Sequence, residues 1–206
     1  MTEPAPPTDS RPSPAHPGAI TLTRHGEPSL SRRIRLTSEG YRRWWAAYEE
    51  GGILPDQAPP EGLVHLARAA DVIFASTRRR AVETAEAVVA GRHFVRDPIF
   101  IEAPLPPPPL PKAVRLSPKA WGFVSRVAWW FLGYAEAGEE SRAEAQARCE
   151  AAVDKLVAAA STEGDVLVLA HGFFNTMLAR ELRRRGWRMT EHEGYGYWGR
   201  RQFSKG

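Results

Sequence analysis

Ala19-Ile-Thr-Leu-Thr-Arg-His-Gly-Glu27 is the stretch whose reading decides the fold. Its apolar part, Ile20 to Thr23, mixes β-branched residues with leucine and reads as a buried strand. The run stops at Arg24-His25-Gly26. A strand that ends in a basic pair and a glycine puts those side chains at the carboxyl edge of a sheet, where open α/β sheets bind ligands. Gly26 is expected to let the backbone turn sharply and come close to a ligand. The same design returns in Val166-Leu-Val-Leu-Ala-His-Gly172, a more uniformly apolar strand ending in His171-Gly172. One His-Gly after a strand is usually only a turn. Two of them, with Arg24 added, point to a single site built from both strands.

Two histidines and an arginine suit a phosphoryl ligand. Histidine can be a covalent nucleophile. Arginine offers a planar fork of donors that matches phosphate oxygens. A third piece follows the same plan: Asp71-Val-Ile-Phe-Ala-Ser76 reads as another short buried strand, followed by Thr77-Arg-Arg-Arg80-Ala-Val-Glu-Thr84-Ala85.

With these three pieces the chain resembles the histidine phosphatase superfamily, which includes the phosphoglycerate mutases. Its pattern is Arg-His-Gly after the first strand, a strand ending in Ser with Arg four residues on, then Ala and a Thr-Ala, and a late strand ending in His-Gly. Arg24, His25, Gly26, Ser76, Arg80, Ala81, Thr84, Ala85, His171 and Gly172 match it. The resemblance runs from about Ile20 to the C-terminus. It implies transfer through phosphohistidine: His25 attacks phosphorus, and Arg24, Arg80 and His171 hold the oxygens. Water then hydrolyses the intermediate. His25 must be neutral to attack, and two nearby arginines disfavour its protonation. His171 is more useful protonated, as a donor. The family's proton donor falls at Glu102, with Asp97 in reserve. Ser31 takes the place of an Asn usual in the mutases and joins Arg24, Arg80 and His171 as an expected phosphate-binding residue. Only four residues separate it from Leu36, and the loop so shortened is one that helps hold the sugar acid there.

The expected function is therefore metal-independent hydrolysis of phosphomonoesters, on a phosphorylated small molecule or a phosphoprotein. The alternatives are a phosphoglycerate-type mutase and a non-catalytic module that binds phospholigands. No cofactor is expected. His16, His65, His93 and His192 are scattered, and Cys149 has no second thiol, so no metal-ligand spacing is present.

The surrounding chain fits one α/β domain. Its 206 residues suit a single core, and 43% hydrophobic with 25% charged residues is ordinary for a globular protein. A net charge of +4 suits anionic substrates as well as a plain solvated surface. Arg78, Arg79 and Arg80 point in different directions on a helix, which argues against a nucleic-acid patch. One cysteine excludes an intrachain disulfide and fits the reducing cytoplasm. The proline-rich residues 1–17 read as a disordered tail without a signal peptide or membrane span, leaving residues 18–206 as the domain.

Helical spacing predicts helices from Thr37 to Glu50, Pro59 to Ala70, Arg78 to Ala90, Ser141 to Ala160 and Phe173 to Arg185. Cys149 falls on the apolar face of the fourth and reads as core. Glu27 and Glu83 read as solvated or helix-paired. Phe94–Arg96, Pro98–Glu102 and Tyr195–Phe203 read as strand pieces. The expected fold is a three-layer α/β sandwich, with a mostly parallel sheet flanked by helices and a small cap inserted at about 105–140. The run Ala103–Pro111 favours extended polyproline geometry and leads into that cap. Trp121–Leu132 is strongly apolar but short of the roughly 20 residues of a membrane span. It reads first as a cap helix over the site, then as a partner surface, and last as an interfacial membrane helix. A membrane partner is not expected.

Overall fold

The computed structural model describes residues 17–136 and 138–206. The tail expected at residues 1–17 lies outside them, apart from Pro17. Six strands, β1 (Ile20–Arg24), β2 (Val72–Ala75), β3 (Val95–Arg96), β4 (Val166–Ala170), β5 (Trp187–Glu193) and β6 (Arg200–Lys205), form one sheet. Their order is β3-β2-β4-β1-β6-β5. The pairs β1–β4, β2–β4 and β2–β3 are parallel, and β6 runs antiparallel to both β1 and β5. The helices are α1 (Ser38–Glu50), α2 (Glu61–Ala69), α3 (Arg79–Val89), α4 (Pro118–Leu132), α5 (Arg142–Thr162) and α6 (Gly172–Arg184).

β4 shows why the sheet is covered on both faces. All five of its residues are buried. Val166, Val168 and Ala170 pack into the core formed with α5 and α6, while Leu167 and Leu169 pack into the one formed with α2 and α3. This period of two is the strand's own geometry. α5 presents Ala145, Cys149, Ala152, Val153, Leu156 and Ala160 to the sheet, and its small residues let helix and sheet approach closely. A capping box between Ser141 and Glu144 starts it. Burial pushes the Cys149 thiol up to about 12, which leaves it an inert core residue.

A third cluster lies over the carboxyl edge of the sheet. Tyr41, Trp44 and Tyr48 of α1 pack with Trp121 of α4. The Trp121 indole N–H donates to the Leu36 carbonyl at 2.7 Å, and Leu36 and Leu116 exchange two backbone hydrogen bonds. α4 is the helix carried by the region expected as a cap, and these contacts tie it to α1. Thr37 caps α1 by accepting from the Gly40 N–H.

Two segments differ from expectation. Pro98–Phe100 is a 3-10 turn rather than a strand, because Asp97 accepts from the Ile99 N–H and Pro98 cannot donate to a ladder. The C-terminal region holds a hairpin, β5–β6, in place of one strand over Tyr195–Phe203. Residues 194–199 form its turn, where Gly194 and Trp198 both take positive φ. β5 pairs with β6 alone and buries only Trp187, so its sequence carries no alternation to read. Charged residues along such an edge discourage pairing with other chains.

Candidate active site

Register brings the three motifs together. Arg24 lies opposite Ala170, and Ala75 opposite Leu169. One residue further on, the His25 N–H donates to the Ala170 carbonyl at 3.0 Å and the Ser76 N–H to the Leu169 carbonyl at 3.0 Å. His171 follows β4 directly. The His25 and His171 rings therefore stand 5.3 Å apart between centroids, and both are buried.

Local packing explains the small residues around them. A Cβ on Gly26 would lie 2.5 Å from the Trp198 ring, and one on Gly172 would lie 3.2 Å from Arg24 Nε. Both glycines thus make room for a side chain of the site. Gly26 has an ordinary backbone, so close approach by Trp198, not an unusual turn, explains it. Thr84 accepts from the Gly26 N–H at 2.9 Å and donates to the Arg80 carbonyl at 2.6 Å. That hydroxyl locks the end of β1 to the first turn of α3.

The His25 tautomer follows from its partner. Nδ1 lies 2.7 Å from the Gly26 carbonyl oxygen, which can only accept. Nδ1 therefore carries the proton, and Nε2 keeps its lone pair. Burial, then Arg80 and Arg24, hold the imidazole well below its ordinary pKa range, against a smaller upward pull from the Gly26 carbonyl. His171 is likewise depressed, by burial first and then by Arg80 and His25. It is neutral in the free protein, whereas the sequence reading preferred it protonated. Its Nε2 lies 2.8 Å from Ser76 Oγ, which already accepts from the Arg78 N–H. With the serine proton directed to Nε2, Nδ1–H is left as a buried donor without a partner.

His25 opens into a cavity of about 160 Å³ lined by Arg24, Arg32, Arg80, Lys119 and Arg126, with Glu102 as its one carboxylate. Tyr41, Trp45, Tyr48, Leu105, Pro118 and Gly122 complete the wall. Arg80 is buried, with its guanidinium over the Tyr48 ring. It donates to the Tyr48 carbonyl at 2.9 Å and to the Glu49 carboxylate at 2.7 Å. Arg24 lies over the Tyr197 ring and donates to the Tyr195 carbonyl. Arg32 donates to the Tyr197 hydroxyl at 2.8 Å. In each of these arginines the Nε is buried and unpartnered. Three guanidiniums oriented by the protein thus retain a free donor, as an anion site requires.

Glu102 stands at the start of α6, where its carboxylate accepts from the Phe173 and Phe174 N–H groups at 3.2 and 2.7 Å. Asp97 is engaged elsewhere, with the Ile99 N–H and Lys155, and does not line the cavity. Ser31 is exposed and also lies outside the lining; its hydroxyl accepts from the Arg33 N–H. Its neighbour Arg32 reaches the cavity instead. Arg79 pairs with Glu83 on the surface and Arg78 with Glu49, so of the three consecutive arginines Arg80 alone lines the cavity. Among the described residues no three metal-ligating side chains gather, and no helix is long and apolar enough to cross a membrane.

The profile of the histidine phosphatase superfamily, branch 1, matches residues 20–195. No curated protein matches the chain. Solved structures share its fold. A mutant phosphoserine phosphatase from Entamoeba histolytica in complex with phosphoserine is similar at TM-score 0.56 and 13% identity, over 90% of this chain and 89% of that one. A mycobacterial hydrolase is similar at TM-score 0.52 and 21% identity, over 81% of each chain. A phosphoglycerate mutase from Bacillus anthracis is similar at TM-score 0.50 and 20% identity, over 83% of each chain.

Proposed function

Because the chain belongs to the histidine phosphatase superfamily, branch 1, we propose that it hydrolyses phosphomonoesters through a phosphohistidine on His25. The observation that carries this reading is the hydrogen bond from His25 Nδ1 to the Gly26 carbonyl. It leaves Nε2 unprotonated in a cavity where cations outnumber carboxylates five to one.

In the first step Nε2 attacks phosphorus. The N–P bond forms as the ester P–O bond breaks, and the departing oxygen takes a proton from Glu102. Arg24 and Arg80, together with His171 Nδ1–H, receive the phosphoryl oxygens. Aligned donors of this kind lower the barrier because they need no rearrangement as charge develops. Arg80 is preset by the Tyr48 carbonyl and Glu49, and Arg24 by Tyr195 and Tyr197. In the second step water attacks phosphorus, the Glu102 carboxylate takes a proton from it, and the N–P bond breaks. His25 returns to its starting tautomer and phosphate leaves. The small, aromatic-walled cavity favours a small phosphorylated molecule over a phosphoprotein.

The test is to incubate the protein with phosphate-labelled phosphomonoesters and quench rapidly. Acid-labile, alkali-stable label on His25 together with free phosphate is the expected result. Interconversion of phosphoglycerate isomers without net phosphate release would make the protein a mutase. Binding of phosphomonoesters with neither label nor release would make it a binding module.

A further inference from the structure

α4 is apolar on two faces. One is buried through Trp121, Ala128 and Trp129. The other carries Phe123, Val127 and Phe131, spaced four apart and so stacked along the helix, with Leu132 beside them. Phe123 is 67%, Phe131 76% and Leu132 78% exposed. A helix that is hydrophobic all round belongs in an interior, and large side chains exposed together mark a contact surface. Between α4 and α6 this face opens into an apolar groove of about 330 Å³.

Charge says what covers it. The charged residues lining the groove are Arg126 and Arg180, with no carboxylate. Arg142 lies over the Trp130 ring at the groove's edge. Lys119 continues the Phe123–Val127–Phe131 row one turn earlier. Of the acids closest in sequence, Glu136 pairs with Arg42, Glu140 with Arg148, and Glu181 with Arg184 and Arg185, while Glu139 lines a different cavity beside Glu49 and Arg78. A second copy docked face to face would set these cations against each other. Protruding aromatic and leucine side chains beside a groove whose charged lining is cationic are what an interfacial helix offers to lipid.

We infer that the outer face of α4 docks on an anionic lipid surface, with Phe123, Phe131 and Leu132 immersed and Arg126, Arg180 and Lys119 at the level of the lipid phosphates. The sequence reading placed this role last for the segment and expected no membrane partner. The structure separates the two faces: Trp121 packs on α1 and Trp129 into the main core, and the outer row is left for lipid. Lys119 and Arg126 also line the catalytic cavity, so docking brings its mouth toward the headgroups.

The experiment is co-sedimentation of the full chain with vesicles of phosphatidylcholine, alone or mixed with phosphatidylglycerol. Binding to the mixed vesicles, weakened by salt, is expected. The double variant Phe131→Ser/Leu132→Ser should lose at least about tenfold in partitioning, and Arg180→Ala roughly fivefold. Neither change touches the catalytic cavity, so unchanged circular dichroism and aryl phosphate turnover certify the fold. No binding to anionic vesicles, or equal binding by the double variant, overturns the inference. So does a concentration-dependent dimer abolished by the double variant, which would assign the face to a second copy.

Discussion

His25, Ser76 and His171 stand on strand ends, whereas Tyr41, Trp45, Lys119 and Arg126 reach the cavity lined by His25 from α1 and α4. The floor is positioned by hydrogen-bond register, which leaves a side chain little freedom. The roof is positioned by aromatic packing between two helices. The floor carries the donors and the proposed nucleophile, suited to a phosphoryl group of any origin. On the proposed function the roof faces whatever the phosphoryl group is attached to. This division predicts that floor variants act on the rate with every substrate, while roof variants act on selected substrates or on binding.

The largest effect is expected at the centre of the floor. His25→Ala removes the nucleophile, and deletion of a covalent nucleophile costs on the order of 10⁶-fold in turnover. Circular dichroism should be unchanged, because the side chain sits beyond the end of β1. Substantial turnover by a folded variant would break the assignment of the floor.

Glu102 joins floor and roof and should show both behaviours. Glu102→Gln keeps the shape but cannot deliver a proton to the leaving oxygen. Hydrolysis of alkyl phosphates should fall on the order of 10²–10⁴-fold. A nitrophenyl ester, whose leaving group needs no proton, should be largely spared. Equal losses on both would leave Glu102 a cap of α6, the role its bonds to Phe173 and Phe174 already fill.

Arg80→Ala should slow every substrate alike, by about 2.7–4 kcal/mol in the barrier. Because Arg80 also joins Glu49 and the end of α1, the variant is compared with Glu49→Gln. The latter loosens the clamp but keeps the guanidinium, so its loss should be smaller. If the two variants lose equally, Arg80 acts by holding α1 rather than by touching phosphate.

Floor and roof were unequally legible for the same physical reason. Strands that are buried on both faces leave an apolar run in sequence, and His-Gly at its end marks the edge. Hence Arg24, His25, Arg80 and His171 could be read with their strands. Ser31 was placed by a loop's likeness to a family, but the loop is short and turns Arg32 inward instead. Arg32 carried no local signal, because its reason for being there is the Tyr197 hydroxyl, far away in sequence. Tyr195–Trp198 reads as strand from composition, yet its glycines and the positive φ of Trp198 make a turn that seats Arg24. Tyr41 sits on a helix whose place in the cavity wall is set by packing on Trp121 of α4, far away in sequence.

The two buried imidazoles make the floor sensitive to acid. Both are held neutral well below the ordinary range, and in the unfolded chain each titrates near pH ~6.5. Below that pH the unfolded chain binds protons that the folded chain refuses. Stability therefore falls as pH falls, by up to about 1.4 kcal/mol per pH unit for each histidine. The loss sets in as pH falls through about 6.5, where the unfolded histidines take up protons. Denaturant midpoints measured below that pH should show the slope, and His25→Gln should remove roughly its own half. A flat profile would mean that the folded floor accepts protons, and the neutral nucleophile would be lost.

The smallest effect is expected in the roof, and Tyr41→Phe isolates it. Tyr41 is buried in the cavity wall, and its hydroxyl has no partner in the protein. Burial raises the phenol's pKa further above its ordinary value, so the hydroxyl stays protonated as a donor. An unpaired buried polar group destabilises a fold, so removing it should leave stability unchanged or raise it by up to about 1 kcal/mol. A bound substrate would supply the missing acceptor, at a cost on deletion of about 0.5–1.5 kcal/mol for a neutral hydrogen bond. The expected result is a two- to tenfold higher KM with kcat nearly constant, because Tyr41 belongs to the wall contributed by α1 and not to the strand ends. The same variant should leave an acceptor-poor substrate such as phenyl phosphate unaffected. A fall in kcat on every substrate would move Tyr41 from roof to floor, among the groups that respond to the transferring phosphoryl. An unchanged KM on all substrates would leave aromatic packing against Trp44 and Trp121 as its whole contribution.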